Sequence, residues 1–516
     1  MNLSWIDIFI CAIYFLLIIT VGLFVSRTPK GHTSDAGDYF LAGRGLPWWV
    51  IGASIIAANI SAEQLVGMSG SGYVIGLAMA NYEWIASLGL IIVAKFFIPI
   101  FLKDKIFTMP QFLEERYDKK VKTLMAILWL LVFVFVNLTS ILYLGALTIK
   151  QLLGLPLPFG VIGLALFAAI YSVRGGLKAV ALTDVIQVVF LVGGGLLTAW
   201  IAIKTLGNGN GFLAGCYNMY DTAADKFHLI LNKSDEGYSD LPGLSVIIGG
   251  LWVSNLYYWG CNQYIIQRAL AAKSVKEAQE GMLLAAFIKL IVPFIVVVPG
   301  IAAFALHAPL AKPDEAYPWL VSTMLPQGIR GVAFAALVAA IVSSLASMMN
   351  SVSTIFTMDI FRSVSKNEKA DLVRVGRWAS LASLIIATAI APALSTLDQV
   401  FQYIQEFTGF VSPGALAIFL AGFFYPRATS KGAFAAAIVT FVSSLGLKLL
   451  FPMLPWMDRM GIVFLICCVA IFLFRDRSIV PTRHLPEYAL FKTSRTFNTL
   501  SGVVITILVS LYVIFW

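Results

Sequence analysis

Apolar runs of helix length alternate with short polar stretches along the whole chain of 516 residues. About 20 consecutive apolar residues cross a bilayer core as an α-helix. Runs of that kind fall near 4–26, 46–73, 80–102, 123–149, 157–173, 179–203, 244–266, 277–306, 331–361, 378–395, 399–424, 432–451, 459–474 and 496–516, which predicts fourteen transmembrane helices. Strands of a membrane barrel would alternate apolar and polar residues in short segments, and these runs do not alternate. The first run has neither a basic flank before it nor a small-residue cleavage site after it, so it is expected to be a retained helix and not a leader.

Two of the runs are interrupted by polar residues. The second contains Ala57-Ala58-Asn59-Ile60-Ser61-Ala62-Glu63-Gln64, and the seventh contains Gly249-Gly250-Leu251-Trp252-Val253-Ser254-Asn255-Leu256-Tyr257-Tyr258-Trp259-Gly260. Polar residues at mid-membrane are expensive unless they line a cavity or sit in a broken helix. Basic residues give the orientation. The odd-numbered connections carry 26 Lys and Arg and the even-numbered ones 8, which puts the odd connections in the cytoplasm and both termini outside. The second and seventh spans then run in opposite directions, five helices apart. That is the pattern of an inverted repeat with a binding site between broken helices, against the plainer reading of small residues at helix contacts. The predicted organisation is one transmembrane domain over 1–516. It has an extra N-terminal helix at 4–26, a first five-helix repeat at 46–203, a second, inverted repeat at 244–424, and three extra helices over 432–516. The outside loop 204–243 has room for a short surface helix.

Composition agrees with that class. Apolar residues make up 59% of the chain and charged residues 12%, half the charge of an ordinary soluble domain. The net charge of +9 follows from the cytoplasmic bias, so no nucleic-acid partner is expected. Of the five cysteines only Cys216 lies in a long polar loop, and no disulfide framework is expected. No phosphate-binding glycine loop, zinc-ligand cluster or nucleophile elbow occurs. The chain is expected not to be an enzyme and to carry no cofactor.

Several polar side chains inside the apolar runs are candidates for a site. Glu83 opens the third span, four residues before Ser87, and is either an interface cap or a cavity residue. Lys289 lies thirteen residues into an apolar helix, where an ionisable group is a functional candidate or half of a structural ion pair. Asp184 in the sixth span fits an ion path or a structural pair. Phe401 and Gln405 share one face of the eleventh span. Ser343, Ser344 and Ser347 either bond back to their own helix or complete an oxygen shell for an alkali cation opposite the broken second span.

These residues carry a resemblance. The sequence resembles the sodium/solute symporter family, and within it the bacterial sodium/galactose (sodium/glucose) cotransporters. The likeness runs essentially end to end and is densest from Gly52 to Trp84, Gly249 to Ser274, Phe334 to Asp359 and Phe401 to Gly414. It implies an all-α fold with a leucine-transporter-type inverted five-helix repeat. It further implies that Gln64, Glu83, Asn255, Lys289 and Gln405 hold a sugar, and that Tyr258, with Asn59 as its partner, covers the sugar on the inner side. On the outer side the lid would be Met68, Tyr82 and Phe401. The carbonyls of Ala57, Ile60 and Ala340 and the hydroxyls of Ser343 and Ser344 would bind Na⁺, with Asp184 on the ion's exit path. One position departs from the resemblance: Ala86 stands where the sugar transporters have a serine, and Ser87 follows one step further round the helix.

The expected function is symport of Na⁺ and a hexose into the cell across the inner membrane, by alternating access. The expected partners are the sugar, Na⁺ and the lipid bilayer, with the oligomeric state left open. The alternatives are another solute on the same machinery, such as myo-inositol or an amino acid, or a channel or transporter-like sensor. A carboxylate solute is disfavoured because the pocket would hold Glu83.

Overall fold

Lipid offers the backbone no hydrogen-bonding partner, so apolar runs fold as helices that satisfy their own N–H and C=O groups. The computed structural model describes residues 4–25, 36–365, 370–397, 399–478 and 486–516, and parts of the basic connections 27–44, 362–377 and 475–495 lie outside them. Among the described residues there is no strand, only one isolated bridge between Leu46 and Ala272. Among the described residues, ten helices are long and apolar enough to cross a membrane. Two bent pairs, Trp48–Asn59 with Glu63–Val74 (58°) and Val400–Thr408 with Ser412–Phe424 (41°), raise the number to twelve. The run at 157–173 corresponds to the shorter apolar helix Leu157–Ile170. The run at 244–266 is divided into Leu244–Ile248, Gly250–Gly260 and Gln263–Leu270. The loop 204–243 does hold a helix, Phe212–Thr222.

The expected connection between the fifth and sixth spans is a sharp break: the helical stretch 157–206 is interrupted at Gly176, whose φ 56° and ψ −166° are not helical. A Cβ there would stand 2.6 Å from the Tyr39 carbonyl oxygen. Glycine supplies both the backbone angle and the clearance, so the helices on either side of it change direction there.

The helix Ile329–Ile355 is the centre of the bundle: 94% of the most apolar window of the span Ile329–Val364 is buried, against 22% for the C-terminal helix Arg495–Ile514. The central helix packs along 157–206 and against Trp48–Asn59. Its N-terminus is closed by the first helix. The Asp7 carboxylate Oδ1 accepts from the Gly328 and Gly331 N–H groups at 2.8 Å each, as a cap should. The helices Trp48–Asn59 and Val275–Val296 cross at two glycines. A Cβ on Gly52 would lie 2.7 Å from the Gly281 carbonyl oxygen, and one on Gly281 2.8 Å from the Trp48 carbonyl oxygen. This small-residue crossing brings Lys289 to the end of the helix at Asn59. Gly281→Leu is expected to overpack the crossing, at a cost of about 1–3 kcal/mol, and to lower the melting temperature in detergent together with ligand binding.

Candidate functional site

The second span breaks as its polar run predicts. The helix Trp48–Asn59 ends at Ile60, which is extended (φ −76°, ψ 98°). The chain resumes in a π-helical turn, Glu63–Met68. In the seventh span the breaks fall at the two ends of the glycine-punctuated stretch. Gly249 leaves helical geometry at one end, and at the other Asn262 caps Gln263–Leu270 by accepting from the Tyr264 N–H. The helix Gly250–Gly260 between them turns Asn255 and Tyr258 toward the broken second span.

One cavity lies between these elements. Its lining includes Asn59, Gln64, Met68, Tyr82, Glu83, Asn255, Tyr258, Lys289, Phe401 and Gln405. The structure thus brings together all five residues expected to hold a sugar and all five expected covers. Lys289, fully buried, donates to the Glu83 carboxylate and to Asn59 Oδ1. Its Nζ sits 5.0 Å from the centre of the Trp259 ring. Asn59 Nδ2 in turn donates to the Tyr258 hydroxyl at 3.1 Å. A continuous chain of polar contacts therefore joins Glu83 to Tyr258, the residue expected to be the inner cover.

Other side chains are oriented by fixed neighbours. Gln64 Oε1 accepts from the Ser61 N–H (3.0 Å) and hydroxyl (3.1 Å), which leaves its amide donors for a ligand. Asn255 is held by Trp259 Nε1 (3.1 Å) and the Leu251 carbonyl (3.0 Å). Among the residues expected to form the outer lid, the rings of Tyr82 and Phe401 meet edge to face at 5.4 Å, and Met68 is buried. Ser87 does not reach the cavity: its hydroxyl donates to the Ala286 carbonyl at 3.0 Å.

The predicted cation ligands lie along the last turn of Trp48–Asn59 and the central helix. Ser344 donates to the Ala58 carbonyl at 2.9 Å, so it reaches the broken helix as expected. That carbonyl also accepts from the Tyr264 hydroxyl. Ala57, Ile60, Ala340, Ser343 and Ser344 are all fully buried. Ser343 donates to Asp184 Oδ1 at 2.5 Å, and Ser54 donates to Asp184 Oδ2 at 2.5 Å. Asp184 thus stands behind the serine pair.

Four residues with buried or cavity positions escaped the sequence reading. Arg268, assigned above to a cytoplasmic connection, is fully buried. It lies 3.7 Å from Asp184 and donates to Ser54, Ser347 and the Tyr264 carbonyl. Lys122, likewise assigned to a connection, is buried against Glu114 at 2.6 Å. Neither residue is a free cytoplasmic charge. Glu63 and Asn137 also line the cavity. The one signal for Asn137 was its isolation as an amide in the apolar stretch Val132–Leu138.

A buried polar cavity covered on both sides, beside a helix end with freed carbonyls, defines a secondary transporter. The model of the sodium:solute symporter family matches residues 39–440, and the chain belongs to that family. Over its whole length it is 51% identical to the sodium/glucose cotransporter of Vibrio parahaemolyticus, covering 99% of that protein. It is 34% identical to the sodium/myo-inositol cotransporter 2 of Oryctolagus cuniculus, over 83% of this chain and 67% of the relative. Among solved structures, a Na⁺-coupled sialic acid symporter superposes with a TM-score of 0.78 at 23% identity, over 92% of this chain and 100% of the other. That likeness establishes the shared fold.

Proposed function

We propose that this protein carries Na⁺ and a hexose together into the cell by alternating access, across the inner membrane of a bacterium. The observation that carries the reading is the polar lining of the covered cavity. Gln64, Asn255 and Gln405 offer amide donors and acceptors, Glu83 and Lys289 offer charged ones, and Tyr258 and Trp259 offer ring faces. Sugar hydroxyls need paired donors and acceptors, and pyranose C–H faces need aromatic surface. The name of the Vibrio relative, a sodium/glucose cotransporter, supports the same solute class.

In this scheme Na⁺ is held by the carbonyls of Ala57, Ile60 and Ala340 and the hydroxyls of Ser343 and Ser344. A hydroxyl that donates its proton keeps lone pairs for a cation, so the bonds of Ser343 to Asp184 and Ser344 to Ala58 are compatible with that role. The ion fastens the broken second span to the central helix and shapes Gln64 and Asn59 for the sugar. Met68, Tyr82 and Phe401 open to the outside. Tyr258 with Asn59 opens to the inside, and Asp184 marks the ion's route. Fourteen crossings, an inverted repeat and external termini belong to this reading. Matched breaks support the repeat. The third and eighth spans both bend at a residue of nearly identical geometry, Phe97 (−95°, −47°) and Val297 (−94°, −50°), with Pro99 and Pro299 two residues later.

Uptake of a small sugar panel into proteoliposomes, with and without an inward Na⁺ gradient, tests the proposal. Saturable, Na⁺-dependent accumulation of a hexose is expected. Counterflow with myo-inositol separates the reading suggested by the rabbit relative. Ala86→Ser is expected to add one hydroxyl partner on the face of Glu83, to tighten hexose binding by about 0.5–1.5 kcal/mol and to alter the galactose to glucose preference. Competition binding against both epimers reads both effects.

A further inference from the structure

Gln405 sits on a helix that takes its orientation from side-chain contacts. Val400–Thr408 has nine residues and is set off from Ser412–Phe424 by a 41° bend. The rest of its span therefore does not fix how it is turned. Phe401, Ile404, Gln405 and Thr408 follow each other at i, i+3, i+4 and i+7, so they share one face, and all four line the cavity. At the N-terminal end the Val400 N–H donates to Asp314 Oδ2 at 3.3 Å.

Glu406 stands on the opposite face and makes the attachment at the other end. Lys448 Nζ donates to its Oε2 at 3.0 Å, and Arg459 Nη2 donates to its Oε1 at 2.8 Å. One carboxylate thus takes a cation from each of two helices outside the proposed repeats, Ser430–Leu450 and Trp456–Leu473. Lys448 Nζ also lies 4.9 Å from the centre of the Phe407 ring. Lys448 and Arg459 are two of the eight basic residues assigned above to the even-numbered connections, where such residues are sparse. The Glu406 side chain is 22% exposed, and exposed ion pairs add little to stability. What a two-pronged tie supplies is direction: a carboxylate with a different partner on each oxygen cannot turn without losing one of them.

We propose that Glu406 is a positioning residue of the solute site: held by Lys448 and Arg459, it fixes the rotation of Val400–Thr408 and so keeps Gln405 turned into the cavity. The proposal rests on the hexose reading given above. The helices Ser430–Leu450 and Trp456–Leu473 then serve as the anchor from which one wall of the cavity is set.

The test is hexose binding by the purified full-length protein at saturating Na⁺. Glu406→Gln keeps the size of the side chain but offers one acceptor in place of two and no charge. It is expected to weaken the hexose about tenfold, the worth of one misplaced hydrogen bond, while the melting temperature in detergent moves little. In a Gln405→Ala background the same substitution is expected to cost less than about threefold, because the residue it acts through is gone. A second readout needs no sugar. Gln405→Cys is labelled with a small water-soluble maleimide, and the protein without that substitution serves as the blank for its five native thiols. Labelling is expected to be faster once Glu406→Gln is added, since the helix then turns the position away from the covered cavity. Should Glu406→Gln fold poorly, Lys448→Met and Arg459→Met each remove one tie and are expected to move both readouts in the same direction. Unchanged hexose affinity in a folded Glu406→Gln protein overturns the proposal, as do losses that add in full with Gln405→Ala or equal labelling rates. A wild type that binds no hexose overturns instead the reading of the cavity as a sugar site, and the labelling rates then decide the role of Glu406 by themselves.

Discussion

Lys289→Ala is expected to abolish Na⁺-driven uptake. The lysine is buried and its ammonium is shared between Glu83 and Asn59. Removing it strands the Glu83 carboxylate without a counter-ion, a loss of about 3–5 kcal/mol for a buried pair. It also frees Asn59, which holds the Tyr258 hydroxyl. The proposed ligand site and the proposed inner cover are therefore disturbed by one change. Lys289→Met restores length without charge and is expected to remain inactive. The double change Lys289→Met with Glu83→Gln removes both charges and should recover much of the melting temperature. Sugar binding should stay lost, because the charged donor and acceptor are both gone. Thermal unfolding and sugar binding measured on the same preparations separate the two effects. Substantial uptake by the double variant would reduce the pair to a structural role.

The pattern of apolar residues made the helices legible because lipid imposes one rule on every run. It also located the break near Asn59–Ala62, since polar residues there have no place in a continuous lipid-facing helix. Pairings were not legible. Ser343 and Asp184 are 159 residues apart, and nothing local to either stretch announces the other. Arg268 shows the same limit. A guanidinium next to a basic connection looks solvated in the sequence, and only the packing of three other helices around it, through Ser54, Ser347 and Asp184, shows it buried. π turns leave almost no trace either, because an added residue within one turn hardly alters a largely apolar run such as Val132–Leu138. Family resemblance supplied candidate roles for Gln64, Asn255 and Gln405 that residue chemistry alone left open.

Uptake is expected to follow Na⁺, more weakly Li⁺, and to ignore Ca²⁺ and Mg²⁺. The proposed ligands are three backbone carbonyls and two hydroxyls, all neutral. Asp184 stands directly behind one of those hydroxyls, at 2.5 Å from Ser343, and by itself would make the surroundings anionic and attractive to a divalent ion. Arg268 at 3.7 Å offsets it. With this pair closed, the site gains a polarised hydroxyl but no net negative charge. Five neutral oxygens replace the hydration of a monovalent ion, while the far larger desolvation cost of a divalent one goes unmatched. Ser344→Ala removes one ligand and also the bond to the Ala58 carbonyl, so it should raise the Na⁺ concentration for half-maximal uptake about tenfold, a loss of about 1–1.5 kcal/mol. Sugar affinity at saturating Na⁺ should change much less. Linkage adds a constraint: whatever factor Na⁺ adds to sugar affinity, the sugar must add to Na⁺ affinity. A matrix of binding and uptake against both ligands, for wild type and Ser344→Ala, measures all of these quantities. Uptake driven by a proton gradient without Na⁺, or a Ser344→Ala protein with unchanged Na⁺ dependence, would place the coupling ion elsewhere.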